Sequence, residues 1–216
     1  LPELPAPTPS ALRFRARCKT GADTAPVTDG PSGIKRRLRR QLRAQRDALD
    51  VTYRAGCAER ATHAIGDHAM WQAALVVASY LPHQSEFDPS FLSRAAIAAG
   101  KKLVYPRVVN ERLAFHSWRD GDATEATIGG VLQPLASAAP CAIEDIGLFL
   151  TPLLGCGTSG IRLGYGGGFY DRLFANAPGF RLGVGFDMQR VADWPVEPHD
   201  RRLNGYLSES GLVLFD

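Results

Sequence analysis

The chain has 216 residues, 45% hydrophobic and 22% charged, which fits one globular domain with extensions and leaves little room for two. Its net charge of +3 is a mild basic excess that suits an anionic small molecule as well as nucleic acid. No apolar run approaches the roughly 18 residues of a membrane span, and Cys18, Cys57, Cys141 and Cys156 stand far apart, so free thiols in a reducing, cytoplasmic compartment are expected.

Residues 1 to 31 read differently from the rest. Pro2, Pro5, Pro7, Pro9, Pro26 and Pro31 break any helix, and apolar periodicity is weak. Arg13, Arg15, Arg17 and Lys19 hint at a transit peptide, but Glu3, Asp23 and Asp29 oppose it, and no secretory h-region is present. The expectation is a disordered or non-native tail, with a folded domain over 32–216.

From Ile34 the chain becomes regular. Ile34, Leu38, Leu42 and Leu49 share one helical stripe, and Lys35, Arg39, Arg43 and Arg46 share another. A second helix is predicted from Thr52 into the region of His68. The apolar run Ala73–Tyr80, ending at Pro82, reads as a buried strand. Asp88-Pro89 begins a helix that Gly100 ends. Further strands are predicted at Lys102–Tyr105 (stopped by Pro106), Leu113–Trp118, Gly147–Pro152, Arg181–Phe186 and Gly211–Phe215. Alternating strands and helices imply an α/β fold: a single three-layer domain with a mostly parallel central sheet flanked by helices.

The chemistry concentrates in Arg162-Leu-Gly-Tyr-Gly-Gly-Gly-Phe-Tyr-Asp-Arg172. Gly164, Gly166, Gly167 and Gly168 lie between an apolar strand and a helical pattern from Phe169 to Phe174. Such a loop lets backbone amides approach a phosphate without a side-chain clash, and the helix start adds positive potential. Arg162 before it offers an anion clamp, and Asp171 after it offers a metal ligand. No G-K-[ST] occurs, which excludes a Walker A loop. Phe169 stands where a dinucleotide fingerprint needs its third glycine, and the loop comes late for a first βαβ unit. The five histidines form no H-x-x-x-H pattern, which argues against a zinc enzyme. Taken alone, a glycine cluster is most often a simple connection; the flanking Arg162 and Asp171 tip this one toward a site.

This segment resembles the central motif of the 5-formyltetrahydrofolate cyclo-ligases, also called methenyltetrahydrofolate synthetases. Other stretches fall in that family's order: Lys35-x-x-Leu38-Arg39, Arg46-x-x-Leu49, Tyr80-Leu-Pro before Glu86, Tyr105-Pro-Arg107, Gln133-Pro134, Gln189, Pro195-x-x-Pro198-His-Asp200 and Ser208-Glu209. The likeness runs from about residue 34 to 210. The glycine motif is highly specific, and the others count by their shared order.

The resemblance implies an ATP-dependent ring closure. The formyl oxygen of 5-formyltetrahydrofolate attacks the γ-phosphate of ATP, nitrogen-10 then attacks the activated carbon, and phosphate leaves. The products are 5,10-methenyltetrahydrofolate, ADP and phosphate. It further implies that Lys35, Arg39 and Arg162 contact the triphosphate, Arg162 being also the candidate catalytic residue. Gly164, Tyr165, Gly166, Gly167, Gly168, Phe169 and Tyr170 complete the ATP site. Arg39, Leu81 and Glu86 face the folate, and Asp171 and Asp200 hold Mg2+, which favours hard carboxylate oxygens. His199 is read as structural. The expected partners are reduced folate and ATP, with no nucleic acid and no membrane, and the expected state is a monomer.

One departure stands out. The family commonly has Phe-Asp ahead of its central segment, where this chain has Cys156-Gly157, so a less ordered loop or altered activity is expected there. Cys156 shows no base partner and is not read as a nucleophile. Two other readings stay open. One is a relative that binds folate or nucleotide without cyclising. The other is a nucleic-acid module using residues 34–46, of which seven of thirteen are Lys or Arg, although zinc knuckles and an aromatic RNP pattern are lacking.

Overall fold

A computed structural model describes residues 30–216, so the expected tail lies outside the described residues except for Gly30 and Pro31. Pro31 opens the first helix, α1 (Pro31–Asp47), where its fixed φ suits the first turn. Helix α2 (Val51–His63) starts on Asp50, whose carboxylate accepts from Thr52 N at 2.8 Å and Tyr53 N at 3.2 Å. It stops short of His68. The predicted strand over 73–80 splits: its first residue closes a short helix, α3 (Ala69–Ala73), and the strand proper is β1 (Val76–Ala78). A short apolar run does not by itself distinguish the two.

Helix α4 (Ser90–Ala98) begins as predicted, with the Asp88 carboxylate accepting from Ser90 N at 2.9 Å, and Gly100 closes it at φ 73°. Strand β2 (Lys102–Val109) runs through Pro106 rather than stopping there. Val108 N, on the same side of the strand as the ring of Pro106, bonds the Gln133 side chain instead of a neighbouring strand. β1 pairs only with Lys102–Val104, so the amide Pro106 lacks has no ladder to break. A tight turn at Asn110 and Glu111, both at positive φ, leads into β3 (Arg112–Ser117).

The chain continues through a hairpin of β4 (Thr124–Ala126) and β5 (Leu132–Pro134), then β6 (Pro140–Cys141), β7 (Leu148–Thr151), β8 (Gly155–Gly157) and β9 (Arg162–Leu163). Helix α5 (Phe169–Leu173) follows, then β10 (Phe180–Val184), β11 (Arg190–Val191), β12 (Gly205–Ser208) and β13 (Gly211–Leu214).

The eight-stranded sheet has the order β13-β12-β10-β7-β1-β2-β3-β6. From β12 to β2 all neighbours are parallel, and antiparallel pairs occur only toward the two edges. The mostly parallel sheet is therefore as expected. β7 shows how it is buried on both faces. Leu148 and Leu150 join Cys57, Ala61, Leu92 and Ala96 of α2 and α4, whereas Phe149 between them packs with Phe115, Phe174 and Tyr206 on the other side. Helix α1 stands apart: Leu42 packs with Ile161, Leu163 and Trp194 against the small sheet β11-β8-β9. Leu49, expected on the α1 stripe, lies beyond the helix end and packs on the main core.

Candidate active site

β1 and β7 are adjacent and parallel, and the chain leaves them toward opposite ends of the sheet. In open α/β sheets a crevice forms where the strand order reverses in this way. Here it is a cleft of about 910 Å³, bounded by α1, the loop after β1, the tip of the β4–β5 hairpin, the glycine loop and the loop ending at Asp200. Lys35, Arg39, Leu81, Glu86, Arg162, Gly164 to Tyr170, Asp171 and Asp200 all line it. Residues spread across the sequence thus meet in one cavity.

The glycine loop has a specific backbone need. Gly166 and Gly168 sit at φ 104° and 66°, where a side chain would be strained, and Gly168 caps α5. At five residues α5 has little dipole to offer, so the loop amides rather than the helix would carry anion recognition. Arg39 Nε donates to Gly164 O at 2.9 Å, fixing the loop against α1. Arg162 donates from Nη2 to Asp171 Oδ2 at 3.1 Å and lies 5.3 Å from the centre of the Tyr170 ring. Its Nε is buried without a partner, an orphan donor in the wall of the cleft. Phe169 faces another guanidinium, that of Arg172, at 5.0 Å.

The basic stripe of α1 faces inward. Arg46 is fully buried and donates from Nε to Ser85 Oγ at 3.1 Å, from Nη1 to Leu153 O at 3.3 Å and from Nη2 to the Tyr165 hydroxyl at 2.6 Å. The Tyr165 ring stays open to the cleft, while its hydroxyl is pushed up to about 12 by burial and by the nearby Glu86. Glu86 accepts from His83 N at 2.9 Å, and burial holds its carboxyl above the ordinary carboxylate range. Arg46 escaped the sequence reading as a site residue, although its place on the stripe with Lys35 and Arg39 was the available signal. Of the seven cations in 34–46, Lys35 and Arg46 are buried and Arg39 is half-buried, whereas Arg36, Arg37, Arg40 and Arg43 are exposed.

At the other end of the cleft, Lys35 Nζ lies 2.7 Å from Glu197 Oε2 and 2.9 and 2.6 Å from the two oxygens of Asp200. Burial draws the ammonium down, but the bonds from Asp200 and Glu197 outweigh it and hold its pKa above the ordinary value. Burial pushes the Asp200 carboxyl up, and the Glu197 amide and Lys35 more than compensate, leaving it low. Glu197 carried no signal of its own in the sequence.

The donor set fits a divalent cation. Ligand atoms of Glu197, His199 and Asp200 lie within 4.8 Å of one another, and the carboxylate oxygens already surround one cationic centre, the Lys35 ammonium. Asp171 stands outside that group; its carboxylate takes Arg162 and, at 3.4 Å, Arg201 N. His199, read as structural, is an exposed residue on the cleft wall.

The departure at Cys156-Gly157 has a local answer. Asp193 accepts from Ser159 N at 3.0 Å, and the turn closes through Gly160 N to Gly157 O at 3.0 Å, so the loop is held without a carboxylate at 157. Cys156 is fully buried and burial pushes its thiol up to about 12, which makes it no nucleophile. Cys57, Cys141 and Cys156 are free thiols, and among the described residues no helix is long and apolar enough to cross a membrane.

A sequence model of the 5-formyltetrahydrofolate cyclo-ligase family matches residues 31–209. The chain is 29% identical over 147 residues to the 5-formyltetrahydrofolate cyclo-ligase of Mycolicibacterium smegmatis, covering 63% of this chain and 75% of that protein. It is 24% identical over 153 residues to a probable 5-formyltetrahydrofolate cyclo-ligase of Caenorhabditis elegans, covering 63% and 74%. In fold it is similar to the 5,10-methenyltetrahydrofolate synthetase of Aquifex aeolicus (TM-score 0.74, 22% identity, 84% of this chain and 92% of the other). The synthetase of Mycoplasma pneumoniae is similar too (TM-score 0.67, 20% identity, 81% and 98%).

Proposed function

The chain belongs to the 5-formyltetrahydrofolate cyclo-ligase family, and on that premise we propose that it uses ATP and Mg2+ to cyclise 5-formyltetrahydrofolate to 5,10-methenyltetrahydrofolate, releasing ADP and phosphate. The observation that carries this reading is the meeting, in one cleft, of the glycine loop, the cationic stripe of α1 and the half-buried Glu86 carboxylate.

The chemistry asks little covalent work of the protein. The formyl oxygen, a weak nucleophile, attacks the γ-phosphorus and ADP leaves; nitrogen-10 then attacks the activated carbon and phosphate departs. Positioning and charge neutralisation carry the rate. Lys35, Arg39 and Arg162 neutralise the phosphate chain, and the unpartnered Nε of Arg162 has a donor to give to a phosphoryl oxygen. Gly164 to Gly168 present backbone to the same chain, and Tyr165, Phe169 and Tyr170 wall it. Glu86 accepts from the amino-pyrimidine edge of the pteridine, with Leu81 and Arg39 beside it. Asp200 and Asp171 hold the metal, which when bound supplies charge neutralisation at the phosphates. The protein works as a cytoplasmic monomer.

The test is direct. Purified protein, 5-formyltetrahydrofolate, ATP and magnesium should show the absorbance change of methenyl-folate formation, with one phosphate released per product. Binding of both substrates without product would leave a non-cyclising relative and sink the proposal.

A further inference from the structure

The Lys35 side chain is only 6% exposed, and its three ammonium hydrogens meet three carboxylate oxygens of Glu197 and Asp200 at 2.6–2.9 Å. Asp200 is locked in this pose by Glu197 N, 2.7 Å from its Oδ2. Several carboxylate oxygens converging on one positive centre is the arrangement a small hard metal ion takes. A second cation brought to the same oxygens meets like charge at contact distance. Glu197, Asp200 and Lys35 leave a single net negative charge, and Asp171 is already paired with Arg162; that is too little for a metal ion unless phosphate oxygens join its shell.

We propose that Lys35 fills the Glu197–Asp200 cation site in the nucleotide-free protein, so that a divalent metal enters only together with a phosphate chain that draws the ammonium away. This rests on the reading of the cleft as a metal–nucleotide site. It makes Lys35 a specificity-determining residue that discriminates the metal–nucleotide complex from free metal, and it gives Glu197 a role as the acceptor that holds Lys35 at rest. Lysine suits the exchange: its compact charge on a flexible stem can pass from carboxylate to phosphate, whereas a planar arginine fork tends to stay bidentate on one carboxylate.

The probe is Mn2+ alone, followed by the electron paramagnetic resonance of the free ion. Nucleotide-free wild type should take up little Mn2+, and a non-transferable ATP analogue should restore uptake. Lys35→Met should bind free Mn2+ at least tenfold more tightly than wild type, Lys35→Arg should still exclude it, and Lys35→Met with Asp200→Asn should lose the gain. Uptake by nucleotide-free wild type as tight as with the analogue overturns the proposal, and this arm needs no variant to fold. So does a folded Lys35→Met, or Lys35→Gln should Met prove unstable, that gains nothing. The cyclisation assay is a separate axis. A protein that makes product yet binds free Mn2+ as well as Lys35→Met does refutes only the exclusion. One that excludes free Mn2+ and makes no product refutes only the cyclase reading.

Discussion

The Asp193 carboxylate occupies the space that a side chain on Gly157 would need. A Cβ at 157 would overlap Asp193 Oδ1 and lie 2.6 Å from Ile161 Cγ1. An aspartate at 157 therefore cannot simply be fitted in. Gly157→Asp should destabilise the protein by about 1–3 kcal/mol through overpacking, with like-charge repulsion added. Gly157→Asp with Asp193→Gly should recover the part of the loss that the Asp193 carboxylate causes, while Ile161 still crowds the new Cβ. Urea midpoints of the two variants decide it; equal loss in both would mean that Asp193 is not the obstacle.

Glu86→Gln keeps the shape and the bond from His83 N but exchanges a charged acceptor for an amide. Charge-assisted bonds contribute about 1.5–3 kcal/mol, so folate affinity should fall about tenfold to a hundredfold. ATP affinity should stay within twofold. Calorimetric titration with each substrate separates the two, and a matched loss for ATP would move Glu86 off the folate side.

Asp171→Asn leaves Arg162 a neutral acceptor in place of its ion partner, so the fold should survive. The metal requirement should rise, and turnover should drop by about a hundredfold to a thousandfold, as expected when about 3–4 kcal/mol of transition-state stabilisation is lost. Folate KM should change much less. On the proposed reading, in which both acids serve one ion, the loss combined with Asp200→Asn should be less than additive. Normal turnover of Asp171→Asn at limiting magnesium would reduce Asp171 to the partner of Arg162.

Stability should bend at both ends of the pH range through the same pair. Asp200 is depressed below its ordinary 3.8, so its contribution is present above that value and fades as pH falls beneath it. Lys35 is raised above its ordinary 10.5, so its share is full below that value and is lost as pH rises past it. Urea midpoints across pH should show both arms in wild type and a flattened alkaline arm in Lys35→Met. An unchanged alkaline arm would mean that the pair contributes nothing to stability.

The glycine loop was legible from its residues alone, with Arg162 before it and Asp171 after it, whereas Lys35, Arg39, Leu81, Glu86 and Asp200 were placed in the site by resemblance to the family. Gly166 and Gly168 must be glycine for their φ, and Lys35 and Arg39 must share a helix face. What escaped lies in contacts that only the fold creates. Glu197 sits between two prolines with no periodic context, and meets Lys35 across 162 residues of chain. β12, fully buried in the sheet, reads as Gly-Tyr-Leu-Ser between an asparagine and a glutamate, a composition closer to a turn than to a strand. Ala73, the first residue of the predicted 73–80 strand, closes α3 instead, because alanine-rich apolar runs satisfy either period.

Helix α1 touches the glycine loop through Arg39, the loop after β1 through Arg43 and Arg46, and the Asp200 loop through Lys35. These contacts share one rotational phase, so the helix tolerates changes of residue far better than changes of length. One residue inserted between Lys35 and Arg39 would turn everything beyond it by about 100°, swinging Arg39, Arg43 and Arg46 off the cleft together. The same insertion ahead of Pro31 would leave all four contacts in register. Length variation among natural versions of this chain should therefore gather before the helix and be absent within it.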